Sequence, residues 1–312
     1  MQSLVATHNA ERPVELREVA EPTAEANEAI VEVHAFSLNR GELSLLANRP
    51  EGWRPGQDIS GIVIQKAADG SGPEKGTRVV GLVDGAGWSQ RVAVQTTRLA
   101  ALPDNVGFEA AASLPIAGLT ALRTVRIGGS ILGQRVLVTG ASGGVGRFAV
   151  ELAARSGAYV TGVVGSKERG EGLQELGASE LVTLVDELQG DFELILESVG
   201  GDSLAAAVKH IAQGGTIVVF GNSSTQPTPV SFYDLAGHAG ARIQSFVSYL
   251  SGPPESFAKD LALLARLVSE GKLHPSIGFE GNWRELGDHL KALAGRQVKG
   301  KMIFKVDGSG AA

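Results

Sequence analysis

Through the first hundred residues apolar and polar positions alternate in short runs. Short runs at 29–36, 60–65, 77–83 and 89–94 read as strands, and Gly70, Gly72, Pro73, Gly76, Gly85 and Gly87 lie between them. Glycine and proline punctuate turns, so short strands so spaced predict an antiparallel β domain. From about residue 108 the pattern changes. Apolar runs at 136–139, 159–164, 194–198, 216–220 and about 242–247 alternate with segments of helical period. Such alternation predicts a doubly wound parallel sheet. Helical period returns at 256–270 and 283–294, and 301–306 reads as a strand that rejoins the β domain. The expected class is α/β in two domains, 1–118 with 256–312 and then 119–255, with a frayed tail at 307–312.

Within the second domain, Val136-Leu-Val-Thr-Gly-Ala-Ser-Gly-Gly-Val-Gly146 runs from an apolar strand through a glycine turn into a helix. Val145, Phe148, Ala149, Leu152 and Ala153 recur at helical spacing, and Gly157 is placed to end that helix. The glycine pattern is Ala141-x-Gly143-x-x-Gly146, with Ala at the usual first glycine. A turn this tight lets the backbone approach a dinucleotide diphosphate, whose charge meets the N–H groups of the helix start. Ala141, Ser142, Gly143, Gly144, Val145 and Gly146 are therefore the expected diphosphate contacts, an ordinary βα turn being the alternative. The next strand, 159–164, ends in Gly165 rather than the acidic residue that binds an NAD ribose. Ser166, Lys167 and Arg169 supply a hydroxyl and two cations where a 2′-phosphate lies, which favours NADPH over NADH. The same residues also suit a solvated charged loop.

Composition narrows the field. The chain has 312 residues, is 43% hydrophobic, and contains no apolar run near the roughly 18 residues of a membrane span. The first residues lack a basic stretch followed by an apolar core, so the expected location is the cytoplasm. A net charge of −6 with scattered cations argues against a nucleic-acid surface. Cysteine is absent, and none of the six histidines forms the spaced pair of a zinc site, so no metal is expected. His34 lies on the strand face opposite Val31, Val33 and Ala35 and is expected at the surface.

Several further segments resemble the medium-chain dehydrogenase/reductase superfamily, in its zinc-independent, zeta-crystallin-like quinone oxidoreductase branch. They are Phe36-Ser-Leu-Asn-Arg-Gly-Glu42, Arg54-Pro-Gly-Gln-Asp-Ile-Ser-Gly61, Leu102-Pro-Asp-Asn-Val, Ala110-Ala-Ala-Ser-Leu-Pro-Ile-Ala-Gly-Leu-Thr-Ala121, the glycine turn, and Glu197-Ser-Val-Gly-Gly201. Where zinc-dependent relatives carry a histidine after a Pro-Gly pair, this chain has Gln57, and the metal-binding cysteines are missing. The resemblance implies a Rossmann domain joined to a GroES-like antiparallel β-barrel, and metal-free hydride transfer from NADPH to a quinone or an α,β-unsaturated carbonyl.

On the same basis Asn39 is the expected hydrogen-bond donor to the substrate oxygen that gains charge, although an asparagine at a strand end also commonly satisfies its own backbone. Ser44 stands where the family often has a tyrosine, and no proton donor is assigned. Asp58 is read as holding a turn of the β domain. Thr120, Ser198, Val199, Phe220, Gly221, Asn222, Phe246 and Val247 match positions lining the ribose and nicotinamide, with strand-end capping as their simpler role. The sixth strand is the expected edge of a homodimer. The loops 40–55, 84–90 and 222–234 would shape the substrate pocket, with 227–232 and the 252–254 turn on one wall. Alternatives are an NADPH-binding protein of low turnover and an enoyl-thioester reductase, for which Arg40, Arg49 and Arg54 could supply cations if they are not ordinary surface charge.

Overall fold

In the computed structural model, which describes residues 1–248, 250 and 256–307, the chain divides into two compact units. One is Met1–Leu119 with Gly252–Ala312, the other Thr120–Ser251. The 252–254 turn and the tail beyond residue 307 lie outside the described residues.

The first unit opens with an antiparallel pair, β1 (Gln2–Ala6) and β2 (Val14–Glu18), and continues through β3 (Glu28–Ser37), α1 (Arg40–Asn48), β4 (Asp58–Gln65), β5 (Arg78–Leu82), β6 (Arg91–Gln95), β7 (Leu99–Ala101) and α2 (Phe108–Ala112). A π-helical turn at Leu114–Gly118 leads into α3 (Leu119–Ile127).

The second unit carries β8 (Arg135–Val138), α4 (Gly144–Arg155), β9 (Tyr159–Val163), β10 (Ala178–Val182), β11 (Phe192–Glu197), α5 (Gly201–Val208), β12 (Ile211–Val219), α6 (Phe232–Ala236) and β13 (Arg242–Ser245). The chain then returns to the first unit with α7 (Ser256–Ser269), β14 (Ile277–Asn282), α8 (Leu286–Ala294) and β15 (Lys301–Lys305).

The larger sheet of the first unit runs β14-β15-β3-β4-β5-β7, with β6 also paired to β3, and every pair but β14–β15 is antiparallel. Its apolar face closes over Phe36, Trp88, Trp283, Met302 and Phe304, all buried. The return of 301–305 to this sheet, as the alternation predicts, sets the first residue of β15 beside the end of β3, where Ile303 pairs Ser37.

The second unit is a six-stranded parallel sheet in the order β10-β9-β8-β11-β12-β13. This is the doubly wound order, with its reversal between β8 and β11. Val136, Leu137 and Val138 on β8 and Leu194, Ile195 and Leu196 on β11 are completely buried, as central parallel strands covered on both faces require.

Several expectations are corrected. Residues 40–48 form helix α1 rather than a pocket loop, and 232–236 form α6. β1, β2, β10 and β14 lack a clear alternating signal because they are short and lie at sheet edges or in a two-stranded pair. Phe246 and Val247 follow the end of β13 instead of lying on it. His34 is half-buried rather than fully at the surface: it packs on Phe108 with ring centroids 4.4 Å apart, and burial holds its imidazole below the usual histidine range.

Candidate functional site

In the second unit the chain leaves β8 at Thr139 and turns through Gly140, which takes φ 60°, the left-handed region open to glycine. Gly143 is the N-cap of α4, and its N–H is held by the carbonyl of Gly140 at 2.9 Å. Gly146 sits where the helix crosses the turn. A Cβ there would lie 2.4 Å from the Gly140 carbonyl oxygen and 2.7 Å from Ala141 Cα, so the close packing of helix on strand requires glycine. Gly157, at φ 86°, follows α4 as expected.

Two arginines converge on this turn. Arg147 Nε donates to the carbonyl of Ser142 at 3.4 Å, and Arg169 Nε donates to the Ser142 hydroxyl at 3.3 Å. Burial, then the neighbouring Arg169, holds the Arg147 guanidinium below its ordinary value. Arg147 was not expected at the site because it interrupts the apolar face of α4, where a cation is normally excluded. Gly165, Ser166 and Lys167 follow β9 with no carboxylate among them.

Across the strand-order reversal, β11 ends in Glu197, which is fully buried. Its carboxylate accepts from Thr139 Oγ1 at 3.0 Å, from the N–H groups of Val199 and Gly200 at 3.0 Å, and from Ser203 Oγ at 3.3 Å. The Ser198 N–H and hydroxyl bond Thr139 in turn, at 3.0 and 3.2 Å. Glu197 thus fastens the loop after β11 to the loop after β8, and burial raises its carboxyl above the ordinary range. Ser198, Val199, Phe220, Gly221 and Asn222 all follow the carboxyl ends of β11 and β12, where open α/β sheets bind ligands. Asn222 is exposed and accepts from Ser224 Oγ at 2.9 Å. Phe246 is buried while Val247 is exposed. Thr120 is buried in α3, its carbonyl accepting from Thr124 Oγ1 at 2.7 Å.

The first unit gathers a separate polar cluster around Asn39, the N-cap of α1. Glu42 caps the Asn39 N–H at 2.8 Å and accepts the Gln57 N–H at 3.0 Å. The Asn39 side chain turns away from its own helix. Nδ2 donates to Asp58 Oδ2 at 2.8 Å and Oδ1 accepts from Lys301 Nζ at 2.6 Å. Asp58 also takes Ser37 Oγ at 2.5 Å, Lys301 Nζ at 3.3 Å and the Ile116 N–H at 2.8 Å. The Ile116 N–H lies in the π-helical turn directly after Pro115, which has no N–H of its own, and Asp58 gives it a partner. Asn39, Glu42, Asp58 and Lys301 are all buried, the most exposed being Asn39 at 8%.

Ser44 lies on the exposed side of α1, where Asn48 Nδ2 bonds its carbonyl at 2.8 Å, and it is not part of this cluster. Sequence reasoning missed Lys301. A charged residue that opens an alternating strand is ordinarily exposed, and only the pairing of β15 beside β3 brings it inside.

Residues 144–266 match the model of a family described as zinc-binding dehydrogenase. Quinone oxidoreductase of Mus musculus is 27% identical over 308 residues, covering 92% of each chain. The highly reducing polyketide synthase apmlA of Arthrinium phaeospermum is 33% identical over 210 residues, 61% of this chain but only 8% of that protein. The chain thus spans less than a tenth of that relative's length. The solved structure of Escherichia coli quinone oxidoreductase in complex with NADPH superimposes with a TM-score of 0.89 at 21% identity, covering 98% of this chain and all of that one, which bears on the fold. Fold and relatives are those of an oxidoreductase. These matches support the medium-chain dehydrogenase/reductase superfamily, in its zeta-crystallin-like quinone oxidoreductase branch, as the family this chain resembles.

The family's description implies zinc, and the residues present do not fit it. No cysteine exists in the chain, Gln57 follows the Pro-Gly pair, and both Asp58 oxygens are occupied by protein donors. Among the described residues no group of three or more His, Cys, Asp or Glu could hold a metal, and no helix is long and apolar enough to cross a membrane.

Proposed function

We propose that this protein is an NADPH-dependent reductase of quinones or α,β-unsaturated carbonyls that works without a metal. The observation that carries the reading is the glycine turn at the reversal of the parallel sheet, followed by a β9 end that lacks a carboxylate. Ala141, Ser142, Gly143, Gly144, Val145 and Gly146 would hold the diphosphate, and Ser166, Lys167 and Arg169, with Arg147 beside them, a 2′-phosphate. The residues after β11, β12 and β13, with Thr120, would line the ribose and nicotinamide. When bound, NADPH supplies a hydride to an electrophile that needs no Lewis acid to activate it. The chain's own task is to orient the acceptor and to donate a hydrogen bond to the oxygen that gains charge, which we assign to Asn39. The NADPH named for the E. coli neighbour supports the reading of the cofactor, and the name of the mouse relative that of the acceptor class.

The polyketide synthase match favours a second reading, reduction of an enoyl thioester. The arginines considered for a carrier arm are engaged otherwise: Arg40 bonds the Leu293 carbonyl at 3.2 Å, Arg54 bonds Ser89 Oγ at 3.0 Å, and Arg49 lies 6.0 Å from the Trp53 ring. Free quinones and enones are therefore preferred.

The decisive experiment measures NADPH and NADH dissociation constants together with NADPH oxidation by 9,10-phenanthrenequinone and simple enones. Tighter NADPH binding, lost about 10- to 100-fold in Arg169→Ala while NADH binding is unchanged, is the expected result. Binding without oxidation across the whole panel would instead mark a low-turnover NADPH-binding protein.

A further inference from the structure

Around Asn39 nearly every hydrogen-bonding capacity is spent. Lys301 Nζ donates to the Leu38 carbonyl at 2.9 Å, to Asn39 Oδ1 at 2.6 Å and to Asp58 Oδ2 at 3.3 Å, which uses all three protons of an ammonium. Asp58 is filled by Ser37, Asn39, Lys301 and Ile116. The Asn39 amide carries two N–H bonds, and one of them goes to Asp58. The other has no acceptor among the described residues.

The two charged neighbours also fix which way round the amide stands. Exchanging Oδ1 and Nδ2 would set an NH2 group against the Lys301 ammonium and a carbonyl oxygen against the Asp58 carboxylate, both repulsive. Stability alone is a weak reason for this ion pair, whose side chains are 4% and 0% exposed, because apolar replacements of buried pairs are often neutral or better.

We propose that Lys301 is a positioning residue which, with Asp58, locks the Asn39 amide so that an N–H and never a carbonyl oxygen faces the substrate oxygen that gains charge. The ammonium on Oδ1 also polarises the amide and strengthens its free N–H as a donor. Without the lock the amide can flip, and half of its orientations repel the developing anion. The proposal rests on the reading of Asn39 as the donor to substrate.

The test is a mutant cycle between Asn39→Ala and the charge-free pair Asp58→Asn/Lys301→Met, assayed with NADPH and 9,10-phenanthrenequinone. Thermal midpoints and NADPH dissociation constants are recorded for each protein. Lys301→Met alone strands the Asp58 charge, so the neutral pair is the main variant and the single change its check.

The pair variant should keep its NADPH affinity and lose at least about tenfold in kcat, less than the 10²- to 10³-fold typical of deleting an oxyanion donor outright. The triple variant should be no slower than Asn39→Ala. A neutral pair that turns over like the wild type, or whose loss multiplies in full with that of Asn39→Ala, overturns the proposal and leaves Lys301 a structural residue. Wild-type turnover in Asn39→Ala would instead remove the underlying reading of Asn39.

Discussion

Glu42 stands 1% exposed in the first turn of α1, one carboxyl oxygen on the N–H of Asn39 and the other on that of Gln57. Burial, and next the charge of Asp58, push its carboxyl from 4.5 up to about 8. The folded protein therefore keeps a proton on Glu42 through a range in which the unfolded chain has lost it. Linkage fixes the sign: the contribution to stability is whole below pH 4.5 and is lost as pH rises toward 8, at up to about 1.4 kcal/mol per unit. Glu42→Gln has no such proton in either state. It also sets an amide NH2 against one of the two backbone N–H groups, which costs about 1–3 kcal/mol. In urea unfolding at pH 5.5, 6.5 and 7.5 the variant should start less stable than the wild type and close the gap by about 1 kcal/mol per pH unit. Parallel curves would mean that Glu42 is ionised in the folded protein.

At the scale of elements, the β8-turn-α4 unit is where sequence and structure agree most closely. Buried parallel strands and a tight glycine turn are both local demands. Val136 to Val138 must be apolar because sheet neighbours and helices cover them, and Gly146 must be glycine because the Gly140 carbonyl leaves no room for a Cβ. Gly146→Ala therefore forces helix and turn apart. It should cost about 1–3 kcal/mol by overpacking, read as a lower thermal midpoint, and weaken NADPH binding at least about tenfold by spoiling the turn. An unchanged dissociation constant would show that the turn does not hold the dinucleotide.

The Asn39 cluster, by contrast, was legible only in part. Asn39, Glu42 and Asp58 lie in segments that match the family, but Lys301 comes from 243 residues beyond Asp58, and no local pattern links them. The same holds for Arg147, whose position on the buried face of α4 contradicts its charge until Ser142 and the Glu171 carbonyl, at 2.8 Å, are seen to receive it. Edge strands such as β10 escaped for a different reason. With Ser179 and Glu180 exposed and apolar burial only at its ends, its pattern resembles a loop.

At the scale of the whole molecule, the second unit carries the surface that bears on assembly. Among the described residues strand β13 pairs only with β12, and all four of its residues are exposed, including Ile243 at 44%. Nearby in sequence Val247, Leu250, Phe232 and Tyr233 are exposed as well. A strand edge with free backbone groups and apolar side chains invites pairing with another chain, and pairing between like edges about a two-fold closes at a dimer. A dimer closed through β13 is the assembly this edge predicts, and molar mass tests it. A lysine at an edge is the device that natural sheets use against such pairing. Ile243→Lys should shift the molar mass measured by light scattering from twice 32.3 kDa toward 32.3 kDa. Because Ile243 is exposed in the single chain, the substitution should move the thermal midpoint of the monomer little. A wild-type protein that runs as a monomer at micromolar concentration would refute the edge as an interface.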